Sequence, residues 1–267
     1  MADGAAPAMY DDAMTIPRIA LITGAAKRIG RAIALDLARH GWTIALHYNT
    51  STEDAESARQ KIELADGKVT LFQADLAQEP DTQRLFDAVH EQLGPIGLLV
   101  NNASRFERDD VHTVTRHGWD AHMEINLRAP FALSQRMVAA LPENQTGVIV
   151  NILDQRVWNL PPGFTSYTLS KAGLWTLTRT LALALAPQIR INAIGPGPTM
   201  PSFRQTSDQF AMQQASVPLK HGATPDEVCA AVRYIVETPS MTGQMIALDG
   251  GQHLGWTHSG DDAAIEE

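Results

Sequence analysis

Short apolar runs rich in β-branched residues alternate with longer amphipathic segments along most of this chain. The alternation begins with RIALIT (18–23), RIGRAIALDLARHG (28–41) and TIALHY (43–48). Apolar strands separated by helices of this kind form βαβ units, in which the strands pair in parallel and helices cover both faces of the sheet. The chain is therefore predicted to fold as an open, doubly wound α/β structure.

The alternation continues beyond residue 48. Helices are predicted near 52–66, 79–93, 115–140 and 165–186, and strands at 68–74, 96–102, 147–153, 189–195 and 244–249. Seven such strands predict a single Rossmann-type domain, residues 17–256, with a seven-stranded parallel sheet. Residues 196–222 are irregular and follow the carboxyl end of a strand, where such sheets bind ligands. We interpret them as a substrate lid rather than as an ordinary surface insertion.

Composition and the ends of the chain exclude several kinds of partner. Residues 1–16 have neither the basic nor the apolar region of a signal peptide and are expected to form a flexible lead-in, while residues 257–267 form an acidic tail. The net charge is −9 with scattered basic residues, so neither nucleic acid nor an anionic membrane is an expected partner. No apolar stretch reaches the roughly 18 residues of a membrane span. Because the single cysteine, Cys229, lies in no Cys/His cluster, we expect no metal site and a cytoplasmic location.

The turn between the first strand and the first helix, LITGAAKRIGRAIA, contains Gly24 and Gly30. Glycine lets the backbone approach a pyrophosphate closely, and the N–H groups of the following helix N-terminus favour its negative charge. Two glycines occur in many such turns, but this turn lies in the first βα unit of an alternating chain. Five residues of the turn are therefore predicted to bind a dinucleotide, namely Gly24, Lys27, Arg28, Ile29 and Gly30.

The end of the second strand indicates which dinucleotide binds. A carboxylate there would bind the ribose 2′-hydroxyl of NAD and repel a 2′-phosphate. The sequence instead has no acidic residue at this place, which reads His47, Tyr48, Asn49, Thr50 and Ser51. With Lys27 and Arg28 adding positive charge, NADP(H) is the predicted cofactor, although both cations could also be ordinary solvated surface residues.

Tyr167 and Lys171 are four residues apart at the start of a predicted helix, so they stand on one face of it. A tyrosine with an ordinary pKa of about 10 is a poor acid at neutral pH, but a neighbouring ammonium and an oxidised nicotinamide both favour its anion. The pair is therefore predicted to be a proton donor in which the pKa of Tyr167 is lowered. Taken alone, the same spacing often occurs on helix surfaces by chance.

Several motifs occur together in one order, namely TGAAKRIG at 23–30, ADL at 74–76, NNAS at 101–104, Asn126 in EINLRAPF, YTLSK at 167–171 and NAIGPGPT at 192–199. In this order and spacing the chain resembles the short-chain dehydrogenase/reductase family over about residues 17–251. The resemblance implies that Asp75 and Leu76 lie beside the adenine, that Lys171 binds the nicotinamide ribose and that Asn126 supports a water chain to Lys171. It also implies that the cofactor cleft is lined by Asn102, Ala103, Ser104, Tyr167, Pro196, Gly197 and Thr199.

Two departures from the family pattern narrow the resemblance. Arg28 stands where the turn normally has a third glycine, and Asp154 replaces the serine that polarises a substrate carbonyl. Together with TGAAKR, HY after the second strand, and NNAS followed two residues later by Phe106, these changes resemble the pteridine reductase branch, which includes the bacterial dihydromonapterin reductases. The basic residue that this branch carries after the second strand is absent here, where Asn49 and Thr50 follow His47 and Tyr48.

The chemistry of a dihydropterin agrees with an acid at position 154. A carboxylate opposes the alkoxide of ketone reduction, whereas the nitrogen of a C=N bond must gain a proton as hydride arrives. Asp154 is predicted to supply or relay that proton with Tyr167, or to bind the amino-pyrimidine edge. Phe106 is predicted to form one wall of a slot for the flat ring, with an anchor in the loop core as its alternative role. Ser104 and Arg28 are candidate polar contacts to the pterin.

Two other functions remain compatible with the sequence. The scaffold could reduce another carbonyl, such as a 3-oxoacyl thioester or a sugar, or it could be a catalytically silent NADP-binding regulator, although Asn126, Tyr167 and Lys171 favour an enzyme. The long helices at 115–140 and 165–186 carry apolar residues on more than one face, and the resemblance implies that their counterparts pack in a tetramer. These apolar residues include Phe131, Met137, Leu174, Trp175 and Leu181. A homotetramer is predicted, with a dimer second.

Overall fold

A computed structural model describes residues 15–202 and 204–255 of the chain. The predicted acidic tail, and all but the last two residues of the predicted lead-in, lie outside these described residues. Within them, no helix is both long enough and apolar enough to cross a bilayer.

Strands and helices alternate along the described chain. The strands are β1 (Ile19–Ile22), β2 (Thr43–Tyr48), β3 (Lys68–Gln73), β4 (Leu98–Asn101), β5 (Gly147–Ile152), β6 (Ile189–Pro196) and β7 (Met245–Leu248). The helices are α1 (Arg28–Arg39), α2 (Thr52–Glu63), α3 (Glu79–Leu93), α4 (Arg116–Met123), α5 (Ala129–Ala140), α6 (Thr165–Ala184), α7 (Ser207–Ser216) and α8 (Pro225–Glu237). A π-helical turn, Glu124–Arg128, joins α4 to α5, and 3₁₀ turns cover Gln155–Val157 and Gln252–Leu254.

The seven strands form one parallel sheet in the order β3-β2-β1-β4-β5-β6-β7. The order reverses between β1 and β4, because the chain crosses from one half of the sheet to the other there. A crevice opens at the carboxyl ends of the strands at such a reversal, and this is where open α/β sheets bind ligands. The predicted Rossmann-type fold with seven parallel strands is confirmed.

Helices cover both faces of the sheet, and each layer buries its own apolar cluster. One cluster joins β1 and β2 to α1, α2 and α8 through residues such as Ile33, Leu37, Ile62 and Val232. The other cluster joins the opposite face to α3, α5 and α6. Burial on both faces explains why the strands are continuous apolar runs rather than alternating ones.

Two features of the C-terminal third differ from the prediction. The predicted lid, 196–222, is not wholly irregular, because α7 forms within it. Helix α8 was assigned to no element, although its sequence carries the signals of a helix: Thr224 and Glu227 form a capping box, and Pro225 follows the cap.

The predicted helix over 115–140 is also interrupted. Its middle turn adopts π geometry at Glu124–Arg128, which brings the fully buried Asn126 to the interior. π turns of this kind are frequent at functional sites.

Candidate active site

A cleft of about 850 Å³ opens at the reversal point of the sheet, large enough for a dinucleotide with a second small molecule. Its walls come from the glycine turn, the carboxyl ends of β2, β4, β5 and β6, the start of α6, and the segment after β6. With the exception of Asn126, which is buried behind the wall, the residues predicted to act on substrate or cofactor line this cleft.

The glycine turn needs glycine for close packing. Gly24 has a φ of +62°, and a Cβ atom there would lie 2.9 Å from the Cα atom of Ala103. A Cβ atom on Gly30 would lie 2.5 Å from the carbonyl oxygen of Gly24. Arg28 occupies the position of the absent third glycine with a left-handed φ of +53°, a conformation that costs a side chain roughly 1–2 kcal/mol.

His47 and Asn102 support this turn from beneath. The Gly24 amide donates to His47 Nδ1 at 3.0 Å, so Nε2 carries the proton and donates to the Ala74 carbonyl at 3.1 Å. Burial lowers the pKa of His47 to about 4, which keeps the ring neutral. Both ring nitrogens of His47 therefore have protein partners, and its predicted contact with the cofactor stays a prediction. The Asn102 side-chain amide likewise donates to the Thr23 and Gly24 carbonyls, at 2.8 and 3.1 Å.

The N-terminus of α1 faces the cleft and fits a pyrophosphate. Helix α1 begins after Lys27, and within the described residues no side chain caps its first N–H groups. Lys27 is paired with Asp54 at 2.9 Å on the surface, so a phosphate would have to compete for its ammonium group. The Arg28 guanidinium donates to the carbonyl oxygens of Met200, at 3.1 Å, and Pro201.

At the adenosine end, Asn49 and Asp75 are hydrogen-bonded across the cleft margin. The Asn49 amide donates to Asp75 Oδ1 at 3.3 Å, and the same oxygen accepts from the Ala77 amide at 3.0 Å. Tyr48, Thr50 and Leu76 complete this end of the wall. The Asn49 amide, which already donates to a carboxylate, adds no positive charge at this end of the cleft.

Asp154, Tyr167 and Lys171 meet at the other end of the cleft. The Tyr167 hydroxyl donates to Asp154 Oδ2 at 2.9 Å, and the Arg156 amide donates to Asp154 Oδ1 at 2.9 Å. Arg156 also places its guanidinium Nε 3.7 Å from Asp154 Oδ2. Lys171 lies one turn beyond Tyr167 on α6 and donates to the Ile152 carbonyl at 2.8 Å. The sequence spacing has therefore brought the predicted catalytic groups together.

The pKa values of Tyr167 and Lys171 are shifted differently from the prediction. Burial and then the charge of Asp154 raise the pKa of Tyr167 well above its ordinary value. Burial lowers the pKa of Lys171 to about 8, against the opposing effect of Asp154. The predicted lowering of the pKa of Tyr167 is wrong for the protein groups alone, because the phenol is buried and hydrogen-bonded to a carboxylate, whereas Lys171 is directed to a carbonyl. Tyr167 is thus held as a protonated donor.

Asn126 connects α6 to the loop after β4. Its Oδ1 accepts from the Arg105 amide at 2.8 Å, and its Nδ2 donates to the Arg105 carbonyl and to Ser170 Oγ, both at 3.0 Å. These three bonds occupy the side chain with protein partners. The predicted role in a water chain to Lys171 stays a prediction, and the structure adds a direct role in holding Arg105.

Phe106 forms part of an aromatic wall. Its ring stacks on Phe164 at a centroid distance of 4.8 Å and meets Tyr167 edge to face at 4.6 Å. The Arg156 guanidinium lies over both phenylalanine rings, at 5.5 and 4.7 Å. Phe106 is therefore both an anchor of its loop and a lining residue of the cleft. Ser104 is exposed at the cleft and donates to the Arg105 carbonyl at 3.3 Å.

The end of β6 and the segment after it line another part of the cleft. Pro196, Gly197 and Thr199 lie in this wall, and Arg204 donates to the Phe106 carbonyl at 3.0 Å. Arg156 and Arg204 are residues of this site that the sequence motifs do not predict. Arg156 could have been predicted, because it follows Asp154 by only two residues, whereas nothing in the sequence around Arg204 indicates a place in the site.

A parallel sheet with a glycine turn at its reversal point, and a Tyr–Lys pair beside that turn, define a class of dinucleotide-dependent oxidoreductases. A family model described as enoyl-(acyl carrier protein) reductase matches residues 24–253. The chain belongs to the short-chain dehydrogenase/reductase family.

Solved structures similar to this one include FolM alternative dihydrofolate reductase 1 from Brucella canis, in complex with NADP. It is 48% identical with a TM-score of 0.88, and the match covers 93% of this chain and 98% of that one. The same enzyme from Brucella suis, also with NADP, is 49% identical with a TM-score of 0.88, over 92% of this chain and 99% of its own. A 3-oxoacyl-[acyl-carrier-protein] reductase, FabG, from Thermotoga maritima is 31% identical over 88% of this chain and 97% of its own length. These similarities confirm the predicted family and the resemblance to pterin-reducing members.

Proposed function

We propose that this protein is an NADPH-dependent reductase that adds hydride to the C=N bond of a dihydropterin. The observation that carries the proposal is the Asp154–Tyr167 pair, in which a phenol donates to a carboxylate inside the cleft. A ketone reductase needs a neutral or positive donor where its oxyanion develops, and a carboxylate opposes that charge. A C=N substrate develops charge on a nitrogen that takes up a proton, which this pair can supply.

NADP(H) is the cofactor. The absence of a carboxylate after β2 and the open N-terminus of α1 fit its phosphates, and NADP is the dinucleotide in both Brucella structures. When bound, NADPH supplies the hydride for the reaction.

The protein groups supply the proton. Tyr167 and Asp154 share one proton between the phenol and the carboxylate, and the substrate nitrogen takes it as the C=N bond is reduced. The pair is left with two negative charges, which are offset by the Arg156 guanidinium, 3.7 Å from Asp154 Oδ2, and the Lys171 ammonium, 5.8 Å from the Tyr167 ring centroid. Solvent then returns the proton to Tyr167, so the pair is restored for the next turnover.

The aromatic wall supports a flat substrate. Phe106 stands beside Tyr167, and its ring, backed by Phe164, offers a planar surface next to the proton donor. Stacking of a pterin on this surface would hold its ring nitrogens near Tyr167. A 3-oxoacyl chain has no flat face to use such a wall.

A second candidate function is reduction of a 3-oxoacyl thioester. It is favoured by the 31% identity to the Thermotoga 3-oxoacyl reductase over 97% of that protein. The higher identity to the Brucella enzymes, 48% and 49%, and the carboxylate at position 154 support the pterin instead.

A panel assay of NADPH oxidation tests the proposal. Dihydromonapterin, dihydrobiopterin and dihydrofolate are compared with an acetoacetyl thioester and a sugar ketone under the same conditions. Turnover of at least one dihydropterin, with kcat/KM above that of the ketones, is expected. Turnover of ketones alone overturns the pterin assignment, and tight NADPH binding without any turnover makes the protein a cofactor-binding regulator.

A further inference from the structure

The segment 104–110, which carries Phe106, has no regular secondary structure, and three of its residues are held by other elements at alternate positions. Asn126 binds both main-chain groups of Arg105. The Glu107 amide donates to His122 Nε2 at 3.2 Å. Asp109 accepts from the Phe164 and Ser166 amides, through its carbonyl at 2.7 Å and its carboxylate at 3.1 Å. Phe106 lies between two of these anchors.

Two matching hydrogen bonds join the helices that provide the anchors. His122 and Asn126 are four residues apart on α4 and the π turn, and Ser166 and Ser170 are four residues apart on α6. His122 Nδ1 lies 2.7 Å from Ser166 Oγ, and Asn126 Nδ2 lies 3.0 Å from Ser170 Oγ. The first of these bonds is adjacent in sequence to Tyr167. The same network therefore reaches both the aromatic wall and the proton donor.

The hydrogen-bond directions in this network are fixed by its main-chain donor. Because the Glu107 N–H donates to His122 Nε2, that nitrogen is unprotonated, and a neutral ring carries its proton on Nδ1. Nδ1–H then faces Ser166 Oγ, with the Gly118 backbone as a further partner, and the Ser166 hydroxyl donates to the Asp109 carboxylate. The Nδ1–H tautomer of the buried His122 therefore gives hydrogen-bond partners to the Glu107 amide, the imidazole ring, the Ser166 hydroxyl and the Asp109 carboxylate.

We propose that His122 is a positioning residue of the reductase site, which acts through the Glu107 amide to aim Phe106 and through Ser166 to fix the start of α6 at Tyr167. The role requires the neutral Nδ1–H tautomer. The proposal concerns the reductase site of this family member and does not depend on a pterin being the substrate.

Protonation of His122 breaks the network at one defined place. The new proton on Nε2 points at the Glu107 N–H, so two donors face each other and this anchor is lost. Burial lowers the pKa of His122, while Asp109 and Glu107 raise it and Arg105 lowers it; the ring of Tyr167 from α6 lies 6.1 Å away. Since the lowered pKa lies below the ordinary 6.5, the neutral ring predominates at neutral pH and the anchor is lost on acidification.

Two amide variants separate the two bonds of His122. His122→Gln places an oxygen near the position of Nε2 and keeps an acceptor for the Glu107 amide, whereas His122→Asn keeps only a donor for Ser166. With the panel substrate that is turned over best, we expect KM for H122N to exceed that for H122Q by about tenfold, with a smaller difference in kcat. For the wild type, KM for the same substrate is expected to rise below pH 6.5, and this rise is absent in H122Q because an amide does not titrate. His117→Gln, at an exposed histidine of α4, is the matched control with wild-type behaviour.

A substrate-free measurement checks the same inference. Imidazole nitrogen NMR of the full chain, assigned with H122Q, is expected to give the Nδ1–H tautomer for His122 and a Glu107 amide signal that shifts as His122 titrates. An Nε2–H tautomer, or a Glu107 amide indifferent to that titration, overturns the proposal. Equal KM values for H122N and H122Q, with losses confined to thermal stability, also overturn it, because they would reduce His122 to a structural residue. If the panel shows ketone turnover alone, the pterin assignment fails while this comparison remains valid.

Discussion

Asp154 affects the protonation of two neighbouring groups, the neutral hydroxyl of Tyr167 and the charged ammonium of Lys171. Its charge raises the pKa of Tyr167, next to the larger effect of burial, and so keeps the proton on the donor. It also raises the pKa of Lys171, where burial alone would lower it further than about 8. A single carboxylate thus holds the phenol protonated and the lysine charged over the same pH range. Replacement of Asp154 should disturb both.

The first prediction concerns Asp154→Ser, which restores the usual family residue. Dihydropterin reduction should fall in kcat by about 10²–10⁴-fold, the usual contribution of a general acid group, while NADPH affinity changes little. In the wild type, the Lys171 ammonium is lost as pH rises through about 8, so kcat/KM should decline there. In D154S that decline should begin at lower pH, because the supporting negative charge is gone. Steady-state rates between pH 6 and pH 9 measure both effects.

Asp154→Asn and Tyr167→Phe are the controls for this prediction. Asparagine can still accept from the Tyr167 hydroxyl but carries neither charge nor an exchangeable acid proton, so it should resemble D154S in rate. Tyr167→Phe should lose at least as much activity. If D154S keeps or improves pterin reduction, the carboxylate has no part in the chemistry.

The second prediction concerns Asn49, which stands where an NAD-binding relative would carry an acid. The wild type should bind NADPH at least about tenfold more tightly than NADH, a difference of about 1.4 kcal/mol. Asn49→Asp should shift the preference toward NADH, because a carboxylate beside Asp75 repels a 2′-phosphate and accepts from a 2′-hydroxyl. Fluorescence titration with both cofactors measures the ratio; equal wild-type affinities would contradict the assignment.

Local spacing made some site residues predictable from the sequence and left others hidden. Tyr167 and Lys171 lie one helical turn apart, so their proximity follows from geometry alone. The pairing of His122 with Ser166 joins residues 44 positions apart and depends on the crossing of two helices. His47 was predicted from its place at the end of β2, but no local signal in the sequence shows that its ring accepts from the Gly24 amide.

At the scale of elements, helices α7 and α8 both begin with a capping box but differ in how many apolar residues they bury. Thr206 with Gln209 and Thr224 with Glu227 each form a complete capping box. Helix α8 buries Val228, Val232 and Ile235 against the sheet, whereas the buried residue of α7 is Gln213. A cap at α8 therefore stabilises the core, and a cap at α7 stabilises the predicted lid.

The third prediction uses these two caps as a matched pair. Thr224→Ala should lower the free energy of unfolding by about 1 kcal/mol, the usual value of an N-cap. Thr206→Ala should leave global unfolding nearly unchanged and raise KM for the substrate a few-fold, because the loss falls on a locally unstable segment. Urea unfolding and steady-state kinetics give the two readouts. An equal loss of global stability in T206A would mean that α7 belongs to the core and is not a lid.

The bounds of helices and strands were predicted best where the apolar pattern of the sequence was clear. β2 and α3 have the predicted bounds, and the other strands differ by one or two residues at their ends. The π turn at 124–128 could not be predicted, since its extra residue is accommodated by tertiary contacts of Asn126 rather than by any local propensity. The omission of α8 was avoidable, because its capping box is legible in the sequence.

For the whole molecule, the distribution of apolar surface bears on assembly. Met137 and Leu174 are 1% exposed and belong to the core, so these two apolar residues of the long helices are not available to an interface. Other large apolar side chains of α5 and α6 remain on the surface, namely Val138, Leu169 and Leu183. Exposed apolar side chains on long helices of this kind favour a subunit interface.

The fourth prediction is that the chain forms a homotetramer through these two helices. Light scattering at micromolar concentration should give about 116 kDa, the mass of four chains of 29.0 kDa each. Leu183 is 85% exposed, and Leu183→Glu should dissociate the assembly because a carboxylate buried between symmetric copies meets its own charge. Leu64→Glu, at an 87% exposed leucine just after α2, is the matched control and should keep the mass of the wild type. A dimeric mass would restrict the interface to one of the two helices, and a monomeric mass would contradict the prediction.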